Sequence, residues 1–180
     1  MAANLKNADI VKGNELWMFI GAYDDTKGLD QQTANPVAFA TSHSLNRSVN
    51  TNSVSSKDHG NAAYVTLGEG SWTTSTENLY SVDSFDTLND LFQAGQKVYV
   101  QFGKLGNYTQ QGDVENGNGP WTMGNSYMFG AGYMTSLQAS GGTGDSATFS
   151  AEVTGLGSLY HAYYENNQWK YNPPLAYSYA

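Results

Sequence analysis

Apolar and polar residues alternate with a period of two over most of this chain, which predicts strands rather than helices. Strands are predicted over Glu15–Tyr23, Val37–Thr51, Trp72–Val82, Lys97–Leu105, Tyr127–Ala139 and Ser146–Leu156. Turn-forming residues separate them: "DDTKGLDQQTANP" from Asp24, "SVSSKDHGNAAY" from Ser53, and a long Gly/Asn segment from Gly106 to Asn125. The last two predicted strands flank "SGGTGD", Ser140 to Asp145, and read as a β-hairpin. One stretch, Asp83–Gly95, changes period: Phe85, Leu88, Leu91 and Phe92 recur at helical spacing. Asp83 or Ser84 is the expected N-cap, Asp86 and Asp90 are expected toward the positive end of the helix dipole, and Gly95 is the expected stop. The fold class is therefore mainly β: a sandwich or half-barrel of antiparallel strands with one flanking helix over about residues 84–94. A single domain over 1–180 is expected, with an N-terminal arm at 1–13, long loops at 53–64 and 106–125, and an aromatic C-terminal tail at 160–180.

Dividing each strand by parity exposes a second pattern. Phe39, Leu45 and Val49 share one parity, and Ala40, Ser42, Ser44, Asn46, Ser48 and Asn50 the other. In the next strand Ser71, Thr73, Ser75 and Glu77 stand opposite Trp72, Thr74, Thr76 and Tyr80. In the last, Ser146, Thr148, Ser150, Glu152 and Thr154 stand opposite Ala147, Phe149, Ala151 and Val153. Three strands thus carry one face of small hydroxyls with an occasional Glu. A solvent face of an antiparallel sheet is one reading. Ordinary solvent faces carry many Lys and Glu, however, and a smooth, hydrated, weakly acidic wall is the sharper one. Arg47 has the wrong parity for that wall and is expected to point away from it, toward a carboxylate or a neighbouring subunit.

Charge and composition narrow the function. The 180 residues hold 16 acidic and 8 basic side chains, a net charge of −8, with no long acidic run. Such a surface repels phosphate, which argues against sequence-reading of nucleic acid but suits a surface that DNA must pass without sticking. Cysteine is absent, which excludes disulfides and thiolate metal sites. No signal peptide is read at the start. The longest apolar run, Leu16–Tyr23, is far short of the ~20 residues of a membrane helix, so no membrane insertion is expected. His43, His59 and His161 lack ligand spacing, and Asp24, Asp25 and Asp30 lack that of a calcium loop. No serine sits in a nucleophile elbow, and no helix follows "GEGSWT", Gly68–Thr73, to hold a phosphate. No catalytic residue, metal or cofactor is expected.

The segments "SLNRSVNTNSVSSKDHG", "SWTTSTENLYSVDSFDTLNDLFQAGQKVYVQFG" and "GYMTSLQASGGTGDSATFSAEVTGLGSL" resemble, in order and spacing, the major tail protein (tail tube protein) family of long-tailed bacteriophages. The first looks like that family's polar strand running into a "TKDG"-like turn, here Lys57-Asp58-His59-Gly60. The second resembles its strand, helix and strand, and the third its closing hairpin. The match spans roughly residues 37–160; the segment 106–125 and the aromatic tail have no counterpart in it. The resemblance implies six subunits closing into a ring whose inner sheets join into one barrel. It also implies that rings stack into a tube through which phage DNA is ejected without specific binding. Tail terminator, tape measure and baseplate or initiator proteins are the implied partners, the virion the implied location, and the host bacterial cytoplasm the implied place of assembly. On this reading Ser42, Ser44, Asn46, Ser48, Ser71, Ser75, Glu77, Thr148, Ser150 and Glu152 face the lumen, and Lys57, Asp58 and His59 contact an adjacent subunit or ring. Two alternatives compete: an inner-tube protein of a contractile injection system, and a carbohydrate-binding β-sandwich using Trp72, Trp121, Trp169 and the 13 tyrosines.

Overall fold

The computed structural model describes residues 11–37, 39–54, 64–106 and 121–175. Its strands are β1 (Leu16–Ala22), β2 (Asn35–Pro36), β3 (Ala40–Val54), β4 (Tyr64–Leu79), β5 (Val98–Leu105), β6 (Met123–Ser140), β7 (Thr148–Glu165) and β8 (Gln168–Asn172), with one helix, α1 (Val82–Ala94), between β4 and β5. All strand pairs are antiparallel, in the order β2-β1-β5-β6-β7-β4-β3, with β8 also on β7. The chain is mainly β with one helix, as the periodicity predicts.

The long β6–β7 hairpin serves two half-sheets. Its first part, up to Gly132 on β6, pairs with β5, and the matching C-terminal part of β7 pairs with β8. Beyond the bend β6 has no second partner among the described strands, and β7 pairs with β4 from Thr148 to Thr154. The two halves face each other across one core: Met18, Ile20, Val98, Val100 and Phe102 on one side, Phe149, Ala151 and Val153 on the other, with Leu88 of α1. The Thr74 hydroxyl reaches Met18 Sδ at 3.3 Å across this interior.

The bend is made possible by glycine and filled by one tryptophan. Gly130, Gly132, Gly155 and Gly157 lie where β6 and β7 cross from one half to the other. The Trp72 indole lies against two of them: a Cβ on Gly155 would stand 2.0 Å from its Cε2, and one on Gly130 2.8 Å from its Cζ2. Its Nε1 donates to the Gly157 carbonyl at 3.1 Å, where Gly157 holds φ +72°. Trp72 is almost wholly buried. It is therefore a core residue and no sugar platform.

Several expectations are corrected. Residues after Gly157 do not hang off the fold: β7 continues to Glu165 and β8 returns to Asn172. Their aromatic rings cover the outer face of the β5-containing half, where Tyr127, Tyr160 and Tyr171 pack on Tyr99, Phe129 and Ala162. Burial there pushes the Tyr127 hydroxyl up to about 12 and that of Tyr99 higher still. The helix N-cap position is Ser81, without a side-chain cap bond, rather than Asp83 or Ser84. Only Asp83 lies in the first turn, so Asp90 is nearer the negative end of the helix than the positive one. Gly95 does close the helix, at φ 59°. Phe92 is exposed, and Phe85 and Leu91 join Leu88 on the core. Phe39 precedes β3 at φ 58° and is exposed, while Val37 takes the buried place. Val49 is exposed because β3 and β4 run on past the reach of β7.

Gly155→Ala is expected to cost about 1–3 kcal/mol, the usual range for forcing atoms into a packed core. Gly13→Ala, with open space around it, is the control and should stay within about 0.5 kcal/mol of the parent. Urea unfolding of the two variants checks this.

Candidate functional site

The polar residues picked out by parity lie on one surface. Register places Ser42 opposite Glu77, Ser44 opposite Ser75, Asn46 opposite Thr73 and Ser48 opposite Ser71. It places Ser75 opposite Glu152, Glu77 opposite Ser150 and Leu79 opposite Thr148. Directly opposed residues share a face, so all ten predicted residues stand on the same side of β3, β4 and β7. A fourth strand that parity had not included extends this face: Tyr133, Ser136, Gln138 and Ser140 of β6 oppose Thr154, Glu152, Ser150 and Thr148. The signal for it was the polar alternation of Thr135 to Ser140, which the "GYMTS" tyrosine and methionine masked.

The face is knit by hydroxyls. Ser44 and Ser75 Oγ are 2.8 Å apart, as are Ser48 and Ser71. Ser42 donates to Glu77 Oε2 at 3.3 Å, and Thr135 to Glu152 Oε1 at 3.4 Å. Thr135 and Thr154 hydroxyls lie 3.1 Å apart. Short side chains engaged with one another project little from the sheet. The ten carry two carboxylates, Glu77 and Glu152, and no base. On the other side of the same strands Trp72, Thr74, Thr76, Asn78, Phe149, Ala151 and Val153 are buried. Arg47 opposes Trp72 and so lies away from the polar face, as parity required. Lys57, Asp58 and His59 lie outside the described residues.

Two edges of this half-sheet are open among the described strands. β3 pairs with β4 alone, and β6 from Tyr133 to Ser140 pairs with β7 alone. Unpaired edges are rows of free N–H and C=O groups that accept another strand.

Several groups with catalytic or metal-binding potential are engaged within the subunit. Asp24 accepts from the Thr26 backbone N–H at 3.0 Å and from its hydroxyl, which with Lys27 holds its carboxyl down at about 2. Asp25 pairs with Lys97. Among the described residues no group of three or more acids, His or Cys could hold a metal. Trp121 packs at a tilt against Trp17, ring centroids 4.6 Å apart and planes at 49°. His161 Nε2 lies 2.8 Å from Ser126 Oγ. His43 sits under the polar face, opposite Thr76 and 6.0 Å from the Trp17 ring, with both ring nitrogens shielded and unpartnered among the described residues.

The site is thus a folded antiparallel sheet with one polar face of mostly small residues and two edges unpaired among the described strands. The sequence profile of the phage tail tube protein family matches residues 12–160, most of the chain. The chain belongs to that family, and it is a structural protein of the phage tail tube. No curated protein matches it in sequence. In fold it is similar to a subunit of the tail of an empty gene transfer agent particle, solved with C6 symmetry, at 15% identity and TM-score 0.59, covering 83% of this chain and 97% of that one. It is similar to the SPP1 tail tube at 12% identity and TM-score 0.59, covering 88% and 82%. A chain of the anti-feeding prophage baseplate shares the fold at 10% identity and TM-score 0.53, covering 84% and 94%.

Burial holds the His43 pKa at about 4, below its ordinary 6.5. A folded-state value that is depressed means the unfolded chain takes up the proton first. The stability due to neutral His43 is therefore full above pH 6.5 and is lost as pH falls from there toward 4. Replacing it by Leu is expected to flatten the stability–pH curve in that window, by up to ~1.4 kcal/mol per pH unit. Loss through Asp24 falls in a separate window, below its ordinary 3.8 and down to about 2. Urea titrations of parent and His43→Leu from pH 7 to 4.5 read the difference.

Proposed function

We propose that six copies of this chain close into a ring with the four-strand polar face turned inward, and that rings stack into the channel through which phage DNA leaves. The observation that carries this reading is the register of β3, β4, β6 and β7, which gathers every predicted lumen residue onto one face between two free edges. Joining β3 of one copy to the Tyr133–Ser140 stretch of β6 in the next gives both open edges of this half-sheet a partner and the channel a continuous wall. Antiparallel alternation is preserved around such a ring, since β3, β4, β7 and β6 already alternate in direction. Six-fold symmetry is taken from the gene transfer agent tail.

The wall suits its cargo. Hydroxyls satisfied by one another offer DNA few free donors, and the carboxylates of Glu77 and Glu152 repel its phosphates. Tail terminator, tape measure and baseplate proteins are the chain's partners in the virion, and assembly takes place in the host cytoplasm.

Electron microscopy of the concentrated full chain is the test. Six-fold rings or hollow tubes with Ser44, Glu77 and Glu152 on the bore are expected; a chain that stays monomeric, or an assembly with those residues outside, overturns the reading. In phage carrying Glu77→Lys with Glu152→Lys, tubes should still form but release DNA more slowly. Raising salt should restore release, because the new attraction is screened within about 10 Å at 0.1 M. Dye-monitored ejection at two salt concentrations measures it.

A further inference from the structure

Arg47 is the chain's one arginine. It is exposed, forms no ion pair among the described residues, and lies on the side of β3 away from the polar face. With Glu69, Trp72, Gly157, Leu159 and Pro173 it lines a cleft of about 570 Å³ where β3 and β4 part from β7. Glu69 shares that cleft without pairing to it. A guanidinium is a rigid fork of donors suited to a carboxylate, and within its own subunit this one lacks an acceptor among the described residues.

Helix α1 carries the complement. Asp83, Asp86 and Asp90 recur at helical spacing, all three exposed and none in an ion pair among the described residues. Asp90 is in the C-terminal half, where the dipole disfavours a carboxylate, and the last turn holds no base to offset it.

We infer that Arg47 of one copy pairs with Asp90 of its neighbour across the lateral interface of the ring, with Asp86 one turn away. This rests on the ring reading above. Helix α1 packs against β6, whose Tyr133–Ser140 stretch is the free edge. A neighbour's β3 laid on that edge turns its non-luminal side, and hence Arg47, toward α1. The levels agree. Helix α1 starts beside the Leu79 end of β4 and leads to Val98, which pairs with Gly132. Gly132 pairs with Gly155, next to Thr154, which pairs with Thr73. Arg47 pairs with Trp72, one residue on. The C-terminal half of α1 and Arg47 therefore stand at the same height along the sheet, and the charges that face each other are opposite.

Charge exchange tests this, read by sedimentation and electron microscopy as the protein concentration needed for assembly. Arg47→Glu and Asp90→Arg alone should each raise it about tenfold, the usual scale for a reversed close charge pair. Both together should bring it back to within about threefold of the parent, and Glu69→Gln should leave it unchanged. Circular dichroism and melting of the unassembled variants should match the parent, since both side chains are exposed there. Singles that assemble like the parent overturn the pair, as does a double no better than its singles. A parent that forms no ring at any concentration removes the ring reading, and the pair with it.

Discussion

The contact on which the architecture depends is the Trp72 indole against the glycines of the β6–β7 hairpin. An eighteen-residue strand is long enough to belong to two half-sheets, but only if it can bend sharply. Glycine removes the side chains on the inside of the bend, and the indole fills the space they leave, at distances no Cβ could tolerate. Its N–H then satisfies the Gly157 carbonyl, which the left-handed turn of the backbone takes out of the ladder. A smaller residue at 72 would leave a void at the hinge, and a larger one at 155 would push the halves apart. One side chain thus sets the angle between the polar face and the aromatic face on the far side.

From that hinge follows the division of labour between faces. The core needs large side chains from both halves, and it gets them from one parity of each strand. The other parity of β3, β4, β7 and β6 is left free of any packing demand. It could carry lysine and glutamate, as exposed sheets commonly do, and carries serine and threonine instead. Exposed hydroxyl pairs add little stability each. Their value is in what they withhold: reach, charge and unsatisfied donors.

Parity made the polar wall legible because strand geometry is strictly two-fold and the turns were well marked. Ser42 to Ser48, Ser71 to Glu77 and Thr148 to Glu152 needed only that rule. Three things escaped it. The run Gly155-Leu156-Gly157 reads as the end of a strand, since glycine usually punctuates; here it bends one, and only the packing of Trp72 from another strand reveals that. The tyrosines after it therefore read as a tail, although they stand on a strand that runs on to Glu165 and on its partner β8. Phe39 and Val49 carry the correct parity for the core but lie beyond its two ends, where no facing strand covers them. Parity tells which side a residue is on; how far the opposite layer extends is tertiary information.

Charge completes the argument. A net −8 spread over a shell subunit would drive copies apart if every acid met its equivalent. Much of the surplus is parted by position. Glu77 and Glu152 are consigned to the polar face, and Asp24, Asp25, Glu15 and Glu165 are neutralised within the subunit by lysines. Among the described residues Asp30, Glu69, Asp145 and the three aspartates of α1 are left without an ion pair, as is Arg47. In the ring proposed above, head-to-tail joints would set Arg47 against the aspartates of α1, where a two-fold dimer would set like against like. On that proposal, one charge distribution would serve both the bore and the joints between subunits.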